Sequence, residues 1–178
     1  MKIRYYSLIV LLVMSVLAPM QAQTYDKMWK ELEVLEQKDL PQSVISEAMK
    51  IYDKAKAEQN VPQMMKAYLT AMQYRSLLTP DSLKVDMKGL EQWASQTGSV
   101  EDKAILYSIL GEMTMTDNIK KGFDYLQLSL KDKDKLLLVP VEKFKPMVKV
   151  GEASKRYFRD NLYNLLAHRA IQIMQQYR

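Results

Sequence analysis

Apolar positions recur along this chain at the three- and four-residue spacing of an amphipathic helix, interrupted at short, regular intervals by proline, asparagine or glycine. Met28, Leu32 and Leu35, with Trp29 adjoining, form one stripe over 25–38, and Lys30, Glu33, Glu36 and Gln37 lie opposite. Asp39-Leu40-Pro41 ends it, because a residue before proline avoids the helical region. Val44, Ala48, Ile51, Tyr52 and Ala55 make the next stripe over 43–58, and Asn60-Val61-Pro62 is the next interruption, with Pro62 suited to a first helical turn. Met65, Tyr68, Leu69, Met72 and Leu77 continue the pattern over 64–78.

Thr79-Pro80-Asp81 reads as a helix start, with a hydroxyl cap, a first-turn proline and a carboxylate at the positive end of the dipole. The helix it opens carries Leu83, Met87, Leu90 and Trp93 and stops near Gly98. Ser99 with Asp102 resembles a capping box ahead of Ile105, Leu106, Ile109, Leu110 and Met113. Asp117 is the expected cap of a helix over 119–130.

Segments of roughly 14 to 19 residues with short connections make antiparallel hairpins. The expected fold is therefore all-α: antiparallel helical hairpins in a solenoid-like, irregular tetratricopeptide-like array over 23–130. Tyr107-x-x-Leu110-Gly111 matches part of the tetratricopeptide pattern, although no strict period holds. Ala48, Ala67 and Ala71 are small enough to let helices approach closely.

Residues 131–151 break the pattern. The run KDKDK reads as solvated charge, and Pro140 and Pro146 exclude a continuous helix through LLLVPVEKFKPMVKVG. An extended, charged, proline-containing arm or short edge strand is expected there. It crosses to a last amphipathic helix over 152–178, starting near Glu152 or Ser154 and packing on the same domain. Phe158, Leu162, Leu165, Leu166, Ala170, Ile173 and Tyr177 share its apolar face, and Asn161, Asn164, His168, Gln172 and Gln175 the polar one.

Composition supports this reading. Apolar residues at 48% and charged residues at 26% suit one packed domain in 178 residues. Residues 1–22 read as a secretory signal peptide: Lys2 and Arg4, an apolar run from Ser7 to Leu17, and a small-residue exit at Ala22. The run is shorter than the ~20 residues of a spanning helix, so no integral membrane segment is expected after cleavage. The expected location is the periplasm or cell envelope.

Cleavage leaves 24 basic against 21 acidic residues, a net +3 that is no footprint for nucleic acid. The chain has no cysteine, which excludes disulfides, a thiol nucleophile and a lipid-anchor acceptor.

Candidate chemistry is sparse. His168 is the one histidine, and at i±3 and i±4 it has Leu165, Asn164, Ile171 and Gln172, none of them a partner for metal binding or base orientation. A surface histidine is the plainer reading, and a hydrolase would have to rest on it. Glu31, Glu33, Glu36 and Asp39 form a solvated face, while Asp81 and Asp102 are explained by helix starts. Neither a glycine-rich phosphate loop nor a nucleophile elbow occurs. No catalytic, cofactor-binding or metal-ligating residue is therefore assigned, and no cofactor or small-molecule ligand is expected. Eleven tyrosines against three phenylalanines favour half-wet contact surfaces, although helix packing with the phenol oxygen at the rim accounts for Tyr52 and Tyr68.

Three stretches, TYDKMWKELEVLEQKDLPQSVI, IYDKAKAEQNVPQMMKAYL and GEASKRYFRDNLYNLLAHRAI, resemble the amino-terminal region of the large alpha-2-macroglobulin family proteins exported by Bacteroides-type bacteria. In that group a signal peptide and a helical segment precede a long series of β-sandwich domains. The inhibitor-type members trap proteases with a bait region and often a Cys-Gln thioester. Without cysteine, this chain holds no such thioester, and it shows no β-sandwich pattern. The resemblance implies a leading helical module with no catalytic residues, from which a larger protein would continue.

The function expected is thus a non-catalytic exported interaction or spacer module whose partner is another protein or downstream domains of the same polypeptide. The alternative is a glycan- or nutrient-binding accessory protein of the envelope.

Overall fold

The computed structural model describes residues 24–147 and 161–177. The segment expected to be a signal peptide and the expected start of the last helix near Glu152 or Ser154 lie outside the described residues. Within them the chain is all-helical, an array of helices each packed on its neighbours.

Helix α1 (residues 24–37) and α2 (Pro41–Ala57) form the first hairpin, and α3 (Val61–Leu78) follows antiparallel to α2. The two connections are built alike. Asp39 and Gln59 take positive φ, 52° and 55°, just after their helices end. Leu40 N–H then reaches back to the Leu35 carbonyl at 3.2 Å, and Asn60 N–H to that of Ala55 at 2.8 Å, closing Schellman-type ends. Proline enters the first turn of each following helix.

Tyr25, Trp29 and Leu32 of α1 are buried against Val44, Ala48, Ile51 and Ala55 of α2 and Ala67 and Ala71 of α3. The three small residues expected to allow close approach, Ala48, Ala67 and Ala71, are all fully buried.

Helices α4 (Ser82–Gln96), α5 (Val100–Met115) and α6 (Ile119–Ser129) continue the array. Thr79 closes α3 instead of capping α4, and Asp81 precedes α4 without a side-chain cap bond. The turn there is held by backbone, Ser82 N–H to the Thr79 carbonyl at 2.9 Å. Ser99 caps α5 as expected, its hydroxyl accepting from Asp102 N–H at 3.1 Å. The cap of α6 is Asn118, whose side chain accepts from Lys121 N–H at 2.9 Å, and not Asp117, whose amide is bonded to the end of α5.

Helices α5 and α6 meet at two glycines. A Cβ on Gly111 would fall 2.6 Å from Leu126 Cδ2, and one on Gly122 would fall 2.9 Å from the backbone nitrogen of Met115. The partial tetratricopeptide pattern around Gly111 therefore marks a real close contact.

Residues 131–147 differ from the extended arm expected. Lys133–Leu136 is a single turn of helix, α7, and Val141–Met147 is a 3-10 helix. Among the described residues, an isolated bridge from Pro140 to Asn161 stands where an edge strand was expected. The reason is burial: winding brings Leu136, Val141 and Phe144 onto the protein, where all three are buried, while Lys133, Lys135, Lys143 and Lys145 stay exposed. The 3-10 helix packs on α3, and α7 packs on α5.

Helix α8 (Leu162–Gln175) also lies against α5. Asn161 caps it, accepting from Asn164 N–H at 3.0 Å. Leu162, Leu166, Ala170 and Ile173 of the expected apolar face are buried. With α4, α6, α7 and α8 around it, α5 is the central helix of the main core.

Candidate functional site

Several polar side chains of the described residues link one helix to another. Asp86 on α4 is only 7% exposed and sits on the same stripe as Leu83, Met87 and Leu90. Arg75 on α3 binds it with two N–H donors, and the Tyr68 hydroxyl donates to the same carboxylate at 3.3 Å. The Arg75 guanidinium also stands 5.6 Å from the Tyr68 ring centre. Tyr68 in turn packs at 6.0 Å on Tyr52 of α2 and edge-on at 6.2 Å to Trp93 of α4. One tyrosine thereby ties three helices. Burial and the adjacent Asp86 carboxylate push the Tyr68 phenol up to about 12.

A second link joins α4 to α6. Glu91 accepts from Lys121 at 2.8 Å and from the Tyr125 hydroxyl, and Tyr125 stacks on Tyr107 of α5 at 5.8 Å. The two donors hold the Glu91 carboxyl below the usual range. At the other end, Trp29 donates to Gln63 at 2.7 Å in a buried bond, with the Lys66 ammonium 3.7 Å from the indole centre. Tyr25 donates to Glu58 at 2.6 Å, and Glu58 also takes Lys54. Burial, then the Glu58 carboxylate, push the Tyr25 phenol well up.

The carboxylates expected on a solvated face are exposed, though not all idle: Glu36 accepts from Tyr74 at 3.1 Å, and Glu31 lies 3.9 Å from Lys27. Asp81 pairs loosely with Lys84 at 3.7 Å. Asp102 differs from the rest. It is 6% exposed, one of its oxygens is buried without a hydrogen-bond partner, and desolvation raises its pKa against the lowering effect of Ser99. His168 is half-buried on α8, with Arg169 beside it in sequence paired to Glu112 of α5.

Among the described residues no group of three or more His, Cys, Asp or Glu is placed to hold a metal ion, and no helix is long and apolar enough to cross a membrane. A shallow open depression lies beside Asp124, Gln127, Leu128 and Lys131, all exposed on one face of α6 and the turn after it.

Sequence reasoning missed Arg75 and Asp86. The signal was available: each is a charge set on an apolar stripe, Arg75 three residues past Met72 and Asp86 four before Leu90, on either side of one turn. Comparison of the chain with family profiles, curated proteins and solved structures finds no match.

Proposed function

We propose that this chain is a non-catalytic, exported helical module that docks a protein partner or spaces downstream domains of its own polypeptide, as the leading part of a macroglobulin-like envelope protein. The observation that carries the reading is the use of the conspicuous polar side chains. Arg75, Asp86, Glu91, Lys121, Glu58, Tyr25, Tyr68 and Tyr125 are engaged in fastening one helix to the next, which is the chemistry of a scaffold. A stacked hairpin array presents long helix faces, which suit protein or peptide partners. The family and the envelope setting rest on the sequence resemblance and the amino-terminal leader.

The test is an immunoblot of envelope fractions from the producing cells with antibody raised to this chain, followed by peptide mapping. The expected result is an exported polypeptide far longer than 178 residues, with β-rich sequence following this region. A cytoplasmic product would overturn the reading. Calorimetry against oligosaccharides should show no saturable heat, and saturable binding would favour the glycan-binding alternative.

A further inference from the structure

Large apolar side chains that stay exposed gather at one end of the helical array. The Tyr74 hydroxyl, near the end of α3, donates to Glu36 in the last turn of α1 at 3.1 Å, so the α1–α2 and α3–α4 turns lie side by side. Around these two turns Val34, Leu40, Leu77, Leu78, Leu83 and Val85 are all exposed, Leu77 at 68% and Val85 at 73%. By the up-and-down order of the helices the α5–α6 turn belongs to this end too, and Ile119 is exposed there. The turns of the opposite end, 58–60 and 97–99, carry only polar residues and glycine. Leu77 and Leu83 extend the apolar stripes of α3 and α4, whose inner members Met72 and Leu90 are buried. Both stripes thus run on past the cover that the described residues provide.

The charges beside this face are balanced. Lys38 stands next to Asp39 in one turn, and Lys84 lies a loose 3.7 Å from Asp81 in the other, both of the latter side chains almost wholly exposed. A face carrying apolar groups and equal numbers of both charges is complementary to itself, whereas an anionic lipid surface calls for a net positive one. Size points the same way. The six side chains leave several hundred Å² of surface open, more than a monomer ordinarily leaves in one apolar patch, and with a polar rim this approaches the ~800 Å² that each partner brings to a stable interface.

We infer that this end of the array is the contact of a two-fold homodimer, in which the α3–α4 turns of two copies oppose each other. Lys84 of one copy meets Asp81 of the partner subunit at the rim, and Leu77, Leu78, Leu83 and Val85 are withdrawn from water in both copies at once. The inference goes beyond the scaffold reading and does not depend on it: an envelope experiment that sinks that reading leaves this contact standing.

Sedimentation equilibrium of the full chain, purified from the producing cells, should show a dimer at micromolar concentration. Leu77→Glu and Val85→Glu should each weaken association at least about tenfold, and because both positions are exposed the helical circular dichroism should not change. Asp81→Lys and Lys84→Asp, taken singly, set like charges across the axis and should each weaken self-association. Mixed in equal amounts, those two variants should recover a heterodimer, since two lysines of one copy then face two aspartates of the other. A chain that stays monomeric into the hundred-micromolar range overturns the inference, as does a dimer indifferent to both glutamate substitutions. So does binding of the monomer to phosphatidylglycerol vesicles that Val85→Glu abolishes, which would give the face to a membrane.

Discussion

Arg75 and Asp86 meet across the α3–α4 turn through two parallel bonds, 3.0 Å from Nε to Oδ2 and 2.7 Å from Nη2 to Oδ1. The Asp86 backbone carbonyl lies a further 3.4 Å from the Tyr68 hydroxyl, so one residue receives donors from two turns of α3. A bidentate pair this well covered fixes the register of one helix on the next.

Replacing Asp86 with alanine leaves the guanidinium without its partner in a largely covered position. The Arg75 side chain keeps 27% exposure, which eases its solvation, so the expected loss is about 2–4 kcal/mol, short of a fully buried pair. Urea unfolding measures it. Arg75→Met combined with Asp86→Leu should cost less than Asp86→Ala alone, because no charge is then stranded.

Gln59 holds φ at 55°, in the left-handed region, at the Schellman end of α2. A side chain there is strained and glycine is not. Gln59→Gly should therefore raise stability by about 0.5–1 kcal/mol, seen as a higher urea midpoint with unchanged slope. Asp39→Gly should gain less, since aspartate tolerates this region better.

Gly122→Ala should lower stability by about 1–3 kcal/mol, because the new methyl meets the Met115 backbone at 2.9 Å and α6 must move off α5. Thermal unfolding checks this, with Gly98→Ala as the control, since a Cβ there meets nothing within 4 Å.

Asp102 carries a raised pKa caused first by desolvation. The folded state then binds its proton more tightly than the unfolded state, so stability falls as pH rises from the ordinary aspartate range through the folded value. Asp102→Asn removes that dependence. The variant should be at least as stable as the parent at neutral pH, with no advantage at about pH 3, where both are uncharged. Glu58, Glu91 and Glu101 have lowered pKa values, each caused first by its lysine partner, and they act in the opposite sense: their contribution is lost as pH falls.

Tyr25, Tyr68, Tyr74 and Tyr125 all ionise late, burial being the first cause in each. Alkaline difference absorbance should thus show a late phase near pH 12, where Tyr68 titrates. Their folded values lie above the unfolded value of about 10, so stability drops as pH climbs past it. Tyr68→Phe should reduce the amplitude of the late phase.

The helix stripes, their breaks and the Ser99 cap are legible because they depend on spacing and on residues a few positions apart. Ser99 capping α5, Pro62 in the first turn of α3, and the burial of Ala48, Ala67 and Ala71 all follow from local rules. Asp117 and Thr79 were misassigned as caps because neighbouring residues, Asn118 and Asp81, offered equally plausible starts, and only the backbone conformation separates them.

The amino-acid sequence by itself determined the helical array, since hydrophobic period and chain breakers act within a single segment. Tertiary structure decided the rest. Prolines in 139–147 rule out a long helix without saying whether the chain stays extended or winds against α3. What settles it is the burial of Phe144 in the same core cluster as Met65 and Met72. The same holds for Arg75 and Asp86: each charge becomes tolerable on an apolar stripe only when the other, brought from a different helix, replaces the water both have lost.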